Sequence, residues 1–258
     1  MTSRIAGAAL LEAVGFAEAL YAVWRPGPPQ VPASRGQTER AYEHIWKQLV
    51  NHQLEPGDRV LDAEIAAQLG MSRTPVREAI QRLIQDGFLE PMARGVRVTR
   101  LTAREVVELY DYRTALESFA ARRAAGVISK ETLHRLRHQT KELQRRFATS
   151  DALIDIKLAA DYLRHEIRLH QTVMAATPNR YMAQAMASIR GRLAVFGVAS
   201  LRIPGRIAQT FEEHSAIVEA LVSRSGDAAA SAMERHIQQA KQRVLEDFFW
   251  VKEPLSTA

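Results

Sequence analysis

Between Thr38 and Thr99 the spacing of apolar residues first has the period of a helix and then shortens to that of a strand. Tyr42, Ile45, Trp46 and Leu49 recur at i, i+3, i+4 and i+7, one stripe of a helix that the Pro56-Gly57-Asp58 turn ends. A second helix is expected almost at once, with Asp62 as N-cap, Ile65, Ala66 and Leu69 as its buried face and Gly70 as its stop. The third opens with Ser72 or Thr74 as cap and Pro75 in the first turn, where a missing N–H is harmless, and ends at Gly87. Its apolar set is Val76, Ala79, Ile80, Leu83 and Ile84, while Arg73, Arg77 and Gln81, four apart, align on the other side. After Gly87, Phe88-Leu89-Glu90 and Val96-Arg97-Val98-Thr99 predict two short strands joined through Ala93-Arg94-Gly95.

Three helices and a hairpin in this order predict a winged helix-turn-helix. Such a module places the N-terminal side chains of its third helix in the major groove of double-stranded DNA, and its hairpin tip at phosphates or the adjacent minor groove. Ser72, Arg73, Thr74 and Arg77 are then candidate groove residues, with Arg94 and Gly95 at the wing tip. One exposed arginine on an amphipathic helix is usually no more than a solvated face, and a winged helix can also bind protein. The joint occurrence of tight turn, Ser-Arg-Thr-Pro opening, arginine side and Arg-Gly tip favours DNA.

Residues 101–250 keep a helical period throughout. Thr102 and Glu105 have the spacing of a capping box and open a helix that runs to Ala125. Further helices are expected at Glu131–Ala148, Ala152–Ala176, Arg180–Ala199, Ile207–Ser223 and Ala228–Trp250, with Gly226-Asp227 as a stop and then an N-cap between the last two. The interior of such a bundle is a usual place for a ligand or metal site. Glu166 and His170 stand at i, i+4; His214 shares a face with Val218 and Leu221, and His236 with Met233, Ile237 and Ala240. A histidine on an apolar face is more often a core residue than a ligand, so spacing alone decides nothing here.

Composition narrows the classes. The 258 residues include no cysteine, which excludes a disulfide framework, a Cys-based zinc or iron–sulfur centre and a thiol nucleophile. No stretch reaches the roughly 18 uninterrupted apolar residues of a membrane span. Ala6 to Trp24 is broken by Glu12 and Glu18, and with only Arg4 before it makes a poor secretory signal, so a soluble, cytoplasmic protein without a membrane partner is expected. Residues 1–34 are expected to be an appended segment, Ala-rich and then an extended spacer through Pro26, Gly27, Pro28, Pro29 and Pro32. The net charge of +6 becomes informative only by position. Residues 35–100 carry 10 basic and 9 acidic groups and residues 101–258 carry 23 and 18, yet within residues 72–100 there are 6 arginines against 3 acids.

Residues 38–100 resemble the DNA-binding domain of the GntR family of bacterial repressors. The runs that carry the likeness are Leu54-Glu55-Pro56-Gly57, then Met71-Ser72-Arg73-Thr74-Pro75-Val76-Arg77-Glu78-Ala79-Ile80, then Asp86-Gly87-Phe88-Leu89. The resemblance implies that Arg73 and Arg77 contact the operator and that Gly95 lets the hairpin tip approach the minor groove. A basic residue that some members carry early in the second helix is replaced here by Ala63. Residues 101–250 resemble the FCD ligand-sensing domain of the FadR-type branch, a six-helix bundle. The signatures are Leu109-Tyr110-Asp111-Tyr112-Arg113 with Leu116-Glu117, Glu166 with His170 and Asn179, Glu213-His214 with Gly226-Asp227, and His236.

In metal-binding members an aspartate and three histidines at these places hold a divalent ion, commonly zinc, nickel or manganese. Carried over, the ligands are Glu166, His170, His214 and His236, with a glutamate where an aspartate is usual. Three histidines and a carboxylate leave positions open on a six-coordinate ion, which the carboxylate of a small organic acid is expected to fill, with the planar fork of Arg113 holding it. A structural ion pair with Glu117 or Glu166 is the plain alternative for Arg113. The Asp161–His165 pair has the same i, i+4 form but lies five residues earlier, about 140° around the helix, and is rejected.

The expected protein is therefore mainly α, with a winged helix-turn-helix at 35–100, an all-α bundle for effector, metal and dimerisation at 101–250, and a tail at 251–258. It is expected to be a repressor that binds an inverted-repeat operator as a homodimer, is released by a small carboxylic acid, and has no catalytic residue. Two alternatives stand beside it. One is the same regulator with a bundle that is structural or binds a fatty-acyl ligand without metal. The other is a metal-dependent hydrolase using Glu166 and the histidines, for which no separate general base presents itself.

Overall fold

The computed structural model describes residues 33–50, 53–149, 156–186, 189, 192–193 and 206–246. The chain divides into two compact units, residues 1–100 with 187–199 and residues 101–186 with 200–258. The expected spacer and tail, and most of the expected helix after Tyr181, lie outside the described residues.

In the first unit the described order is α1 (Ala33–Val50), β1 (Arg59–Val60), α2 (Asp62–Leu69), α3 (Arg73–Gln85), β2 (Leu89–Met92) and β3 (Gly95–Val98). Helices α1 and α3 pack together. The stripe Tyr42, Ile45, Trp46 and Leu49 is buried, as are Val76, Ala79, Ile80 and Leu83. Burying each large aliphatic side chain of this set stabilises the unit by about 1.5–3 kcal/mol. Two side-chain bonds fix the register of the pair: Thr38 Oγ1 donates to Glu78 Oε2 at 2.8 Å and the Tyr42 hydroxyl to Asp86 Oδ2 at 2.6 Å.

The strands form an antiparallel sheet in the order β1-β3-β2. Met92 faces Gly95 across the turn, and Gly95 takes φ +102°, a left-handed conformation that a side chain would strain. Strand β1, whose Arg59 and Val60 pair with Arg97 and Val96, was not expected from the sequence. The caps differ from expectation too. Leu61 is the N-cap of α2, and Asp62 is its first helical residue with no cap made by a side chain. Ser72 does cap α3 by position, but its hydroxyl makes no capping bond.

The second unit is helical throughout its described residues: α4 (Ala103–Val127), α5 (Lys130–Thr149), α6 (Ile156–Ala175), the helical residues 180–186, α7 (Arg206–Val222) and α8 (Gly226–Leu245). The capping box at Thr102 and Glu105 is present as expected. Helix α8 lies against α4, and both bury small residues: Ala120, Ala121, Ala124 and Ala125 on α4, and Ala229, Ala230 and Ala232 on α8. Contrary to expectation, Ser225 caps α8 by accepting from the Ala228 amide, and Gly226 and Asp227 are inside the first turn. No described helix is long and apolar enough to cross a membrane.

Candidate metal centre and nucleic-acid interface

Four helices of the second unit supply the groups expected to form a site. Helix α6 carries Glu166 and His170 one turn apart, α7 carries His214, α8 carries His236, and α4 brings Arg113 and Glu117. The structure gathers the expected ligands: one donor atom from each of Glu166, His170, His214 and His236 lies within 4.8 Å of all the others. Two ligands on opposite sides of one first-row ion, each about 2.1 Å from it, are about 4.2 Å apart. A contraction of roughly half an ångström would therefore bring the set to bonding distance.

Their surroundings differ from those of ordinary core histidines. His214 is fully buried, yet neither ring nitrogen has a hydrogen-bond partner. Its Nε2 stands 2.8 Å from Glu166 Oε2, but off the hydrogen-bonding direction, so that oxygen is unsatisfied as well. Leaving a buried polar atom unpaired costs about 1–3 kcal/mol. His236 is also buried, with Nδ1 donating to Glu213 Oε2 at 2.8 Å and Nε2 without a partner. Burial pushes the His236 imidazolium down to about 4 despite the Glu213 hydrogen bond, so the ring is neutral and Nε2 is a lone-pair donor at neutral pH. Unsatisfied buried ring nitrogens on two histidines beside a carboxylate fit a divalent first-row ion.

Glu166 and His170 are the charged half of the cluster. Burial opposes ionisation of Glu166, but the adjacent His214 and His170 outweigh it and hold the carboxyl well below its usual range. Its Oε1 is 3.3 Å from His170 Nε2, so the longer side chain at this position still reaches both α6 and α7 partners. His170 Nδ1 binds Glu117 Oε2, and its Nε2 is 3.1 Å from Arg113 Nη2. Burial disfavours the His170 cation, yet Glu117 more than compensates and raises it to about 9. A metal ligand must be the neutral ring, so coordination here displaces that proton.

Arg113 is buried, with Nε donating to Glu117 Oε1 at 2.5 Å and Nη2 4.0 Å from Glu166 Oε1. The structural ion pair considered for it is thus formed, and only the Nη side of the fork is turned to the cluster. A cavity of about 540 Å³ between α7 and α8 is lined by Glu213, His236 and Arg243, and not by Arg113, Glu166 or His170. Two participants are new with respect to the expected site: Glu117 and Glu213, which hold the Nδ1 atoms of His170 and His236. Glu213 is itself held by Arg243 through bonds of 2.5 and 2.9 Å. Asp161 is engaged by Arg146 and Arg164, and His165 Nε2 meets Thr140 Oγ1, so that rejected pair serves elsewhere.

In the first unit, Ser72, Arg73, Thr74 and Arg77 open α3 and are all exposed, as are Arg94 and Gly95 at the β2–β3 turn. Arg73 and Arg77 both donate to Asp62, the residue expected to cap α2.

Comparison with known proteins identifies both domains. The pattern described as "Bacterial regulatory proteins, gntR family" matches residues 37–98, and the FCD domain matches residues 108–239. The Nta operon transcriptional regulator of Aminobacter aminovorans is 29% identical over 201 residues, covering 76% of this chain and 89% of its own. The "Probable D-xylose utilization operon transcriptional repressor" of Paenarthrobacter nicotinovorans is 30% identical over 200 residues, covering 76% and 83%. Among solved structures, E. coli McbR/YncC has the same fold, with a TM-score of 0.53 at 22% identity over 81% of this chain and 97% of its own.

Proposed function

Because the chain belongs to the GntR family of bacterial regulatory proteins and carries an FCD domain, and is therefore a DNA-binding regulator of transcription and not an enzyme, we propose that it is a repressor governed by a small carboxylic acid at a metal centre. In this reading a homodimer binds an inverted-repeat operator, with Ser72, Arg73, Thr74 and Arg77 in the major groove and Arg94 and Gly95 at the adjacent backbone or minor groove. Glu166, His170, His214 and His236 hold a divalent ion of the zinc, nickel or manganese kind. The ion supplies positive charge and open coordination positions for the acid's carboxylate. The Nη side of Arg113 orients that carboxylate, while Glu117 keeps the guanidinium in place through Nε.

The observation that carries the metal reading is His214, buried with both nitrogens unpaired and 2.8 Å from an equally unpaired carboxylate oxygen. A structural or fatty-acyl-binding bundle has no use for such a group and would bear its cost. Elemental analysis of untagged protein should find roughly one divalent ion per chain, lost in His214→Ala. A thermal-shift screen of carboxylic acids should then find compounds that raise the melting temperature, and a chelator should abolish that rise. Protein without metal whose response to acids is indifferent to chelator and to His214→Ala would overturn the reading.

A further inference from the structure

Arg73 and Arg77, the expected groove residues of α3, converge on one carboxylate of α2. Arg73 donates Nη2 to Asp62 Oδ1 at 2.8 Å and Nε to Oδ2 at 3.2 Å, and Arg77 donates Nε to Oδ2 at 2.6 Å. Asp62 is in the first turn of α2, where an acid ordinarily satisfies helix N–H groups, yet it makes no capping bond. Its side chain is only 20% exposed, whereas Arg73 and Arg77 are 55% and 63% exposed. The carboxylate is thus set behind the two arginines, and their outer parts face solvent.

The way Arg73 is held is chemically specific. A guanidinium has two edges that donate paired hydrogen bonds: the side edge of Nε and one Nη, and the end edge of the two Nη atoms. Asp62 takes the side edge. The end edge that remains still offers the paired donors that match guanine O6 and N7 in the major groove. A flexible arginine must be ordered before it can read a base, and here the order exists before DNA arrives. The same carboxylate repels phosphates, so it lowers affinity for any DNA; retaining it at this place makes sense if it returns discrimination.

We propose that Asp62 is a positioning residue for base recognition, holding Arg73 by its side edge so that the end edge is presented to a guanine of each half-site, and aligning Arg77 beside it. This rests on the reading of α3 as the groove helix. The role is one of specificity: Asp62 itself touches no base.

The test uses the full-length chain and a duplex that the wild-type protein selects from a randomised pool. Binding is compared with the same duplex in which half-site guanines are replaced by adenine, and with a scrambled duplex, at one salt concentration. Asp62→Ala should bind the scrambled duplex at least as tightly as wild type does, but lose about tenfold of the preference for guanine over adenine. Arg73→Lys keeps the charge and lacks the fork, so it should lose the same preference, and adding Asp62→Ala to it should change the preference no further. A uniform gain on all three duplexes with preference intact would reduce the contact to a surface ion pair and overturn the proposal. A sharper preference in Asp62→Ala would overturn it by making Asp62 a competitor of the base. If Arg73→Ala keeps full preference, the groove assignment of α3 itself falls, which separates that failure from this one.

Discussion

Two of the proposed metal ligands, His170 and His236, are held by a second residue, and that support can be tested apart from the ligands. His236 can offer Nε2 only if its proton is on Nδ1, and the 2.8 Å contact with Glu213 Oε2 keeps it there. Glu213→Gln can present its amide N–H to Nδ1 and so favour the other tautomer. We expect it to weaken zinc binding 10- to 100-fold, measured by competition with a chromophoric chelator, with little change in melting temperature of the metal-free protein. Unchanged affinity would make the Glu213–His236 pair purely structural. The four ligands follow from the resemblance to the FCD domain, carried by Glu166 with His170, Glu213-His214 and His236, and not from helical spacing alone. Their supports were not recognisable, since Glu117 is 53 residues from His170 and Glu213 is 23 from His236. A carboxylate whose partner arrives from a different helix leaves no local periodicity to detect. Asp62 illustrates the same limit at shorter range: its sequence position suits a cap, and only the packing of α2 against α3 turns it toward Arg73.

Local patterns determined the elements well wherever both ends of the signal were in the sequence. The Thr102–Glu105 capping box, the apolar stripe of α1 and that of α3 apart from the half-buried Ile84 are found as expected, because each is satisfied within a few turns of one helix. Strand β1 was missed because two residues, Arg59 and Val60, are too few to alternate; it exists by pairing with β3. At α8 the glycine expected as a stop instead lies in the first turn and marks a close approach. A Cβ added to Gly226 would be 2.8 Å from the carbonyl oxygen of Arg122 on α4, inside any normal contact with a backbone atom. The alanine-rich faces of α4 and α8 cannot slide apart locally without opening the core at Ala229 and Met233, both fully buried. Gly226→Ala should therefore destabilise the protein by about 1–3 kcal/mol as an overpacking substitution, measured by urea unfolding followed at 222 nm. An unchanged midpoint would show that α8 tolerates a shift at its first turn.

On the proposed reading, the question for the whole molecule is how an acid bound in one unit would alter DNA binding by the other. Charge does not answer it: the bundle holds most of the +6, while four of the six arginines between residues 72 and 100 are paired with Asp62, Glu39 or Glu90. The DNA-facing unit thus neutralises much of its own charge, which favours discrimination over bulk attraction. Control by the acid must then be a coupling free energy, and such coupling is reciprocal. An acid found in the thermal-shift screen that weakens operator binding by some factor must itself be bound more weakly, by the same factor, when the operator is saturating. Couplings of this kind are typically about 5- to 150-fold. Calorimetric titration of the acid into protein alone and into the protein–operator complex should give the same ratio as operator titrations with and without acid. The ratio should fall to unity when His214→Ala removes the metal centre. Unequal ratios would mean that the acid acts through a change of assembly or by stripping the metal, and a coupling that survives His214→Ala would move the effector away from the cluster of Glu166, His170, His214 and His236.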